Sequence, residues 1–131
     1  MALDTSVLAR LILCESPAEF ELARQTIAEN RCSLSWSVLI ELCWVLERSA
    51  KLPRHEAHDG LYAISRMANI ALPDQAKVDW VLGRYAAGAD FANMVHLVTA
   101  VPGSSRFATF DRKLARQAGG EASLEIMTLR V

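Results

Sequence analysis

The sequence predicts an α/β domain built on a short, mainly parallel sheet. Two observations lead there, and a third, the placement of the acids, points to a site within it. Brief β-prone runs alternate with segments of helical period, the pattern of parallel strands joined by crossover helices. Four acidic residues, Asp4, Glu41, Asp90 and Asp111, lie within or at the edges of hydrophobic segments. At 131 residues and 52% hydrophobic, the chain is long and apolar enough for one core. Residues 1–131 are therefore expected to form a single domain.

The elements follow in order. Ala2-Leu3 is a short strand candidate leading into Asp4. Ser6 to Cys14 is helical in pattern, with Val7, Leu8, Leu11 and Ile12 on one face. Ser16-Pro17 opens a second helix with Pro in its first turn, running to about Asn30, with Phe20, Ala23, Ile27 and Ala28 inward. Cys32 to Ser35 reads as a strand. The apolar run Ser37 to Leu46 reads as a buried helix that carries Glu41 and ends near Lys51, before the break at Leu52-Pro53.

Arg54 to Met67 is a helix with Leu61, Ile64 and Met67 on its apolar side. Asn69 to Leu72 is a weak strand, and Pro73-Asp74 opens a helix to about Ala87. Gly88-Ala-Asp90 turns into a helix from Phe91 to Val101. Pro102 to Ser105 is the clearest loop. Phe107 to Phe110 reads as a buried strand, and Asp111 begins a short helix. Gly119-Gly120 is a second break before a final strand from Leu124 to Leu129.

Composition excludes several classes. No apolar run reaches the roughly 20 residues that span a bilayer. The start, Met-Ala-Leu-Asp, has no basic n-region, so a cytosolic protein is expected. Cys14, Cys32 and Cys43 are odd in number and lack CxxC spacing, which fits reduced, mostly buried thiols. The net charge of −1 argues against a surface that grips nucleic acid all over. It leaves room for a local basic rim around an acidic site.

Asp4, Asp90 and Asp111 each have a plain structural role open to them, as N-caps of the helices that follow. Glu41 has none. Placed mid-helix among Ile40, Leu42, Cys43 and Trp44, it must be paired, neutralised or bound to metal if buried. An ion pair with Arg10 or Arg48 is the alternative to metal. In parallel α/β sheets ligands bind beyond the carboxyl ends of the strands. Asp4 and Asp111 follow predicted strands, and Glu41 lies just over a turn into the helix after one. These acids are expected to converge, and a divalent cation would keep them ionised together. Oxygen-only ligation points to Mg2+, with Mn2+ as a substitute. Thr5, Ser6 and Thr109 stand beside the acids and can orient them or hold water, although turn chemistry explains each nearly as well. Arg112, Lys113 and Arg116, directly after Asp111, are the best candidates for phosphate contact; ordinary solvated helix faces are the alternative. Arg10, Arg48 and Lys51 are weaker candidates. His96 reads as a core or groove residue, and His55 and His58 as surface residues.

Leu3-Asp-Thr-Ser6, the Glu41 helix, Gly88-Ala-Asp-Phe-Ala-Asn93 and Ala108-Thr-Phe-Asp111 together resemble the four acidic motifs of PIN-domain ribonucleases. The VapC toxins of type II toxin–antitoxin systems are the most similar group. The resemblance covers nearly the whole chain. It implies a three-layer α/β/α fold and magnesium-dependent cleavage of RNA, with Asp4, Glu41 and Asp111 as metal-site acids. One position departs from the pattern. Relatives often read Asp-Phe-Ala-Asp where this chain reads Asp90-Phe-Ala-Asn93, so either Asp90 supplies the third carboxylate or the site has lost a charge. An Asn carbonyl can still ligate a metal.

The resemblance also implies a homodimer, an RNA substrate and a hetero-oligomer with a cognate antitoxin protein. Trp44, Tyr62, Trp80 and Tyr85 are candidates for partner grooves, with the monomer core as the equal alternative. A different class of function stays open: a binding module that keeps the fold and holds antitoxin or RNA without cutting. A magnesium-dependent phosphatase or DNA nuclease would share the chemistry.

Overall fold

Most helices begin where the sequence offers a cap, and every strand pairing is parallel, as expected. The computed structural model describes residues 1–131, the Glu121 side chain excepted. Two compact units divide the chain, Met1–Val78 and Asp79–Val131.

In the first unit Ala2 bridges to Ser33, so the expected opening strand is a single pairing, and Asp4 then caps α1 (Thr5–Leu13). Cys14 closes α1 in a left-handed conformation at φ 54°, and it is exposed rather than buried as expected. Ser16 caps α2 (Pro17–Glu29), which places Pro17 where its missing N–H costs nothing. Ala23 and Ile27 are buried, whereas Ala28 faces solvent. β1 (Cys32–Ser33) pairs in parallel with β2 (Ile70–Ala71). The Asn69 amide ties the start of β2 to the end of α2 through the Ile27 and Asn30 carbonyls.

Ser35 caps α3 (Trp36–Trp44), which runs on into a π-helical turn, Val45–Ser49. Leu39, Leu42, Cys43 and Leu46 are buried, a stripe at helical spacing, and each leucine adds about 2 kcal/mol. Lys51, at φ 55°, turns the chain out of the helix. α4 (Arg54–Ser65) buries Ala57, Leu61 and Ile64. Gly60 lets α4 approach α1 closely, since a Cβ there would stand 2.8 Å from Ile12 Cγ2.

α5 (Gln75–Ala86) starts from an Asp74 cap and crosses the boundary into the second unit. There Val81, Leu82 and Tyr85 are buried, and Tyr85 meets Phe91 edge to face at 5.6 Å. Gly88, at φ 108°, makes the turn into α6 (Phe91–Val98), which Asp90 caps. α6 stops earlier than the expected Val101, and the loop at 102–105 precedes β3 (Arg106–Thr109). β3 pairs in parallel with β4 (Glu125–Thr128). Between them lies α7 (Leu114–Ala118), with Leu114 and Ala118 buried. The expectation of a strand buried throughout fails for β3. It alternates instead, with Phe107 and Thr109 half-buried and Arg106 and Ala108 exposed. Among the described residues no helix is long and apolar enough to cross a membrane.

Candidate active site

The expected site residues fall into two groups, one in each unit. In the first, the Ala2 bridge delivers the chain to Asp4, whose exposed carboxylate caps α1. Asp4 Oδ2 accepts the Ser6 hydroxyl at 2.7 Å and the Ser6 backbone N–H at 3.4 Å. Those two bonds, the hydroxyl's first, hold the Asp4 carboxyl below its ordinary value. Ser6 thus orients an acid, as anticipated. Thr5 is buried at 4% exposure, and its hydroxyl has no hydrogen-bond partner among the described residues.

Glu41 corrects an expectation. It is exposed, so no burial penalty demands a partner. The apolar run around it is amphipathic once phased at 100° per residue. Leu39, Leu42 and Leu46 point inward, while Glu41, Trp44 and Arg48 take the outer side. Trp44, at 57% exposure, is the apolar residue that makes the run look buried all round. Neither alternative partner engages Glu41. Arg10 pairs with Glu19, and Arg48 forms no salt bridge among the described residues.

The second group is joined by hydrogen bonds into a closed cycle. Asp90 Oδ2 accepts the Asn93 backbone N–H at 2.9 Å. The Asn93 side-chain amide donates to Asp111 Oδ2 at 3.4 Å. Asp111 Oδ1 accepts the Lys113 N–H at 2.8 Å, and the Lys113 carbonyl accepts the Gln117 N–H at 2.9 Å. Gln117 Oε1 then accepts the Asp90 N–H at 3.4 Å, which closes the cycle. Arg84 braces it from α5, its Nε donating to the Gln117 carbonyl at 2.7 Å.

Of the two residues competing for the third acidic position, Asn93 is the one that reaches Asp111. Asp90 caps its own helix, the plain role weighed for it. Thr109 accepts the Asp111 N–H at 3.0 Å, a turn interaction that fixes the backbone at the acid. Arg112, Lys113 and Arg116 are exposed. His96 is exposed rather than in a core or groove, His55 is exposed, and His58 is half-buried. Tyr85 belongs to the core, while Trp44 and Tyr62 are exposed and Trp80 is half-buried.

Two residues of this region have roles that sequence reasoning misses. Gln117 belongs to no motif, and nothing in its spacing marks it. Phe110 falls in a run that reads as a buried strand, yet it is 68% exposed. Strand parity holds a clue, since Phe107 and Phe110 are an odd number apart and cannot share a face.

The family model for the PIN domain matches residues 1–120. This chain belongs to the PIN-domain family. Comparison with curated proteins and with solved structures gave no significant match. PIN domains are generally metal-dependent nucleases, and the helices with short parallel strands seen here are a PIN-like α/β fold. The donors of this PIN domain suit a hard divalent cation, because the candidate groups are carboxylates and one amide carbonyl. Asn93 Oδ1 has no hydrogen-bond donor among the described residues, and Asp4, Glu41, Asp90 and Asp111 are all exposed. Among the described residues, no three His, Cys, Asp or Glu side chains are gathered closely enough to hold a metal ion by themselves.

Proposed function

We propose that this PIN-domain protein is a metal-dependent endoribonuclease, the toxin of a type II toxin–antitoxin pair of VapC type. Family membership over residues 1–120 carries the nuclease part of this reading, and the toxin part rests on the resemblance of the four acidic motifs alone. The exposed carboxylates of Asp4, Glu41, Asp90 and Asp111, none in a salt bridge among the described residues, support it. In this proposal residues 1–131 act as one domain in the cytosol. The proposed ligands for Mg2+ or Mn2+ are Asp4 and Glu41 of the first unit and Asp90, Asn93 and Asp111 of the second. A bound ion supplies a water nucleophile at neutral pH and counter-charge for the leaving oxygen.

The chain's own residues do the rest. The Ser6 hydroxyl fixes the Asp4 carboxylate and keeps it ionised. Thr109 fixes the backbone at Asp111. Asn93 keeps Asp111 in place by its amide, and its carbonyl oxygen stays available as a ligand. Arg112, Lys113 and Arg116 bind substrate phosphates. A cognate antitoxin neutralises the protein, and the active form is a homodimer that enters a hetero-oligomer with it.

One observation favours a second reading. The Asn93 amide already supplies Asp111 with a donor, so this pair is satisfied without a cation. That suits an attenuated variant that binds antitoxin or RNA without cutting. Incubating total cellular RNA with Mg2+ or Mn2+ separates the two. Cleavage by the chain, lost in Glu41→Gln, supports the nuclease. Cleavage only by Asn93→Asp supports an attenuated toxin, and silence from folded protein in every form supports the binding module.

A further inference from the structure

Phe110 is an aromatic ring in solvent, on the residue directly before Asp111. Its exposure is set by the strand. Phe107 and Thr109 turn one way, and Arg106, Ala108 and Phe110 turn to the exposed side. β4 continues that side with Glu125 and Met127, since Ala108 is in register with Met127. Charge is concentrated in the same stretch. Between residues 105 and 118 four cations, Arg106, Arg112, Lys113 and Arg116, face one acid, Asp111, in a chain whose net charge is −1. All four cations are exposed, and no salt bridge engages them among the described residues.

The geometry points to a subsite for an unpaired nucleotide, in which a base stacks on Phe110 while Arg112, Lys113 and Arg116 contact the flanking phosphates. The inference rests on the nuclease reading and adds one contact to it, a base held by Phe110 beside Asp111. An exposed aromatic face among unpaired cations is how strands of nucleotides are held without sequence readout. A duplex keeps its bases stacked inside and offers Phe110 nothing to stack on. A protein partner is the weaker fit. Its apolar contacts on this side would be Ala108, Phe110 and Met127, ringed by Arg106 and Glu125, which is little for the core of a stable interface.

The test uses the full chain in EDTA, so that binding is read without cleavage. The probe is a fluorescein-labelled single-stranded RNA of about a dozen nucleotides, followed by anisotropy. Phe110→Ala is expected to weaken binding roughly five- to 150-fold. Phe110→Trp restores it, and Phe110→Leu, apolar without a π face, does not. Arg112→Ala with Lys113→Ala weakens binding further and lowers the salt dependence by about 0.7 in log–log slope for each phosphate no longer neutralised. The same RNA annealed to its complement binds more weakly than the single strand.

The proposal is overturned if Phe110→Ala or Phe110→Leu binds like the parent, if duplex binds as well as single strand, or if the parent binds no RNA. A loss of dimer in Phe110→Ala with RNA binding unchanged would assign the ring to a protein interface instead. Unchanged thermal midpoints show that the exposed substitutions leave folding intact. Binding without cleavage by any form would remove the nuclease reading and leave this subsite standing.

Discussion

The Asn93 amide nitrogen lies 3.4 Å from Asp111 Oδ2, a donor where a second acid would set carboxylate against carboxylate. Asn93→Asp replaces attraction with repulsion. Without metal the variant is expected to lose roughly 0.2–1 kcal/mol, the range of exposed charge pairs. With Mg2+ or Mn2+ it should recover the loss and bind the ion more tightly than the parent chain, because a cation reverses the preference. Thermal midpoints in EDTA and in Mg2+ check both. Equal metal-induced shifts in parent and variant would show that position 93 does not face the ion.

Glu41 is exposed and has no side-chain partner among the described residues. Its removal therefore costs the fold nothing that the structure shows. Glu41→Gln should keep stability within about 0.5 kcal/mol. Metal-dependent cleavage, measured in whichever form cuts, should fall on the order of 100-fold or more. A variant that unfolds more easily, or one that cuts at the parental rate, would remove Glu41 from the chemistry.

Asp4 ties stability to pH. The Ser6 hydroxyl and N–H hold its folded pKa below the ordinary 3.8, so the native state releases this proton more readily than the unfolded chain. The contribution is complete above the unfolded value and disappears as pH falls through the folded one. Asn caps a helix about as well as Asp but cannot titrate. The stability gap between parent and Asp4→Asn should thus shrink as pH falls below about 5 and through the lowered folded value, in urea melts. Ser6→Ala should raise the Asp4 pKa toward 3.8, as read by carboxyl NMR. A gap that stays constant with pH would sink the assignment.

Gly119 sits at φ 68°, ψ −170°, a region open almost only to glycine. A Cβ there would also stand 3.1 Å from the Arg84 guanidinium carbon. Gly119→Ala is expected to cost about 1–3 kcal/mol in urea unfolding. It should displace Arg84 from the Gln117 carbonyl, which an exchange-broadened or shifted Arg84 Nε signal would report. An unchanged midpoint would show that the chain relaxes there freely.

Element order and the parallel pairing are legible in the sequence because helical and strand periods, caps and breakers all agree. Ser16-Pro17, Ser35 and Asp90 mark their helices in the sequence as plainly as in the fold. What is not legible is which way a residue faces when apolar residues lie on both sides of an element. Trp44 and Phe110 are hydrophobic and exposed, so composition alone buries their neighbours. The acids themselves stand out because unusual placement is visible in one dimension. Gln117 does not, since its contribution is a hydrogen bond to Asp90 from twenty-seven residues away.

The cycle through Asp90, Asn93, Asp111, Lys113 and Gln117 has a consequence for how this protein can evolve. A ring offers two routes between any two of its members, so one broken link leaves them connected the other way round. Position 93 is released from sole charge of holding its neighbours together. Asn and Asp codons differ by a single base, and an exchange there alters charge while the scaffold persists. If this centre holds the proposed metal, its potency can drift up or down in one mutational step, with no intermediate that must first survive misfolding.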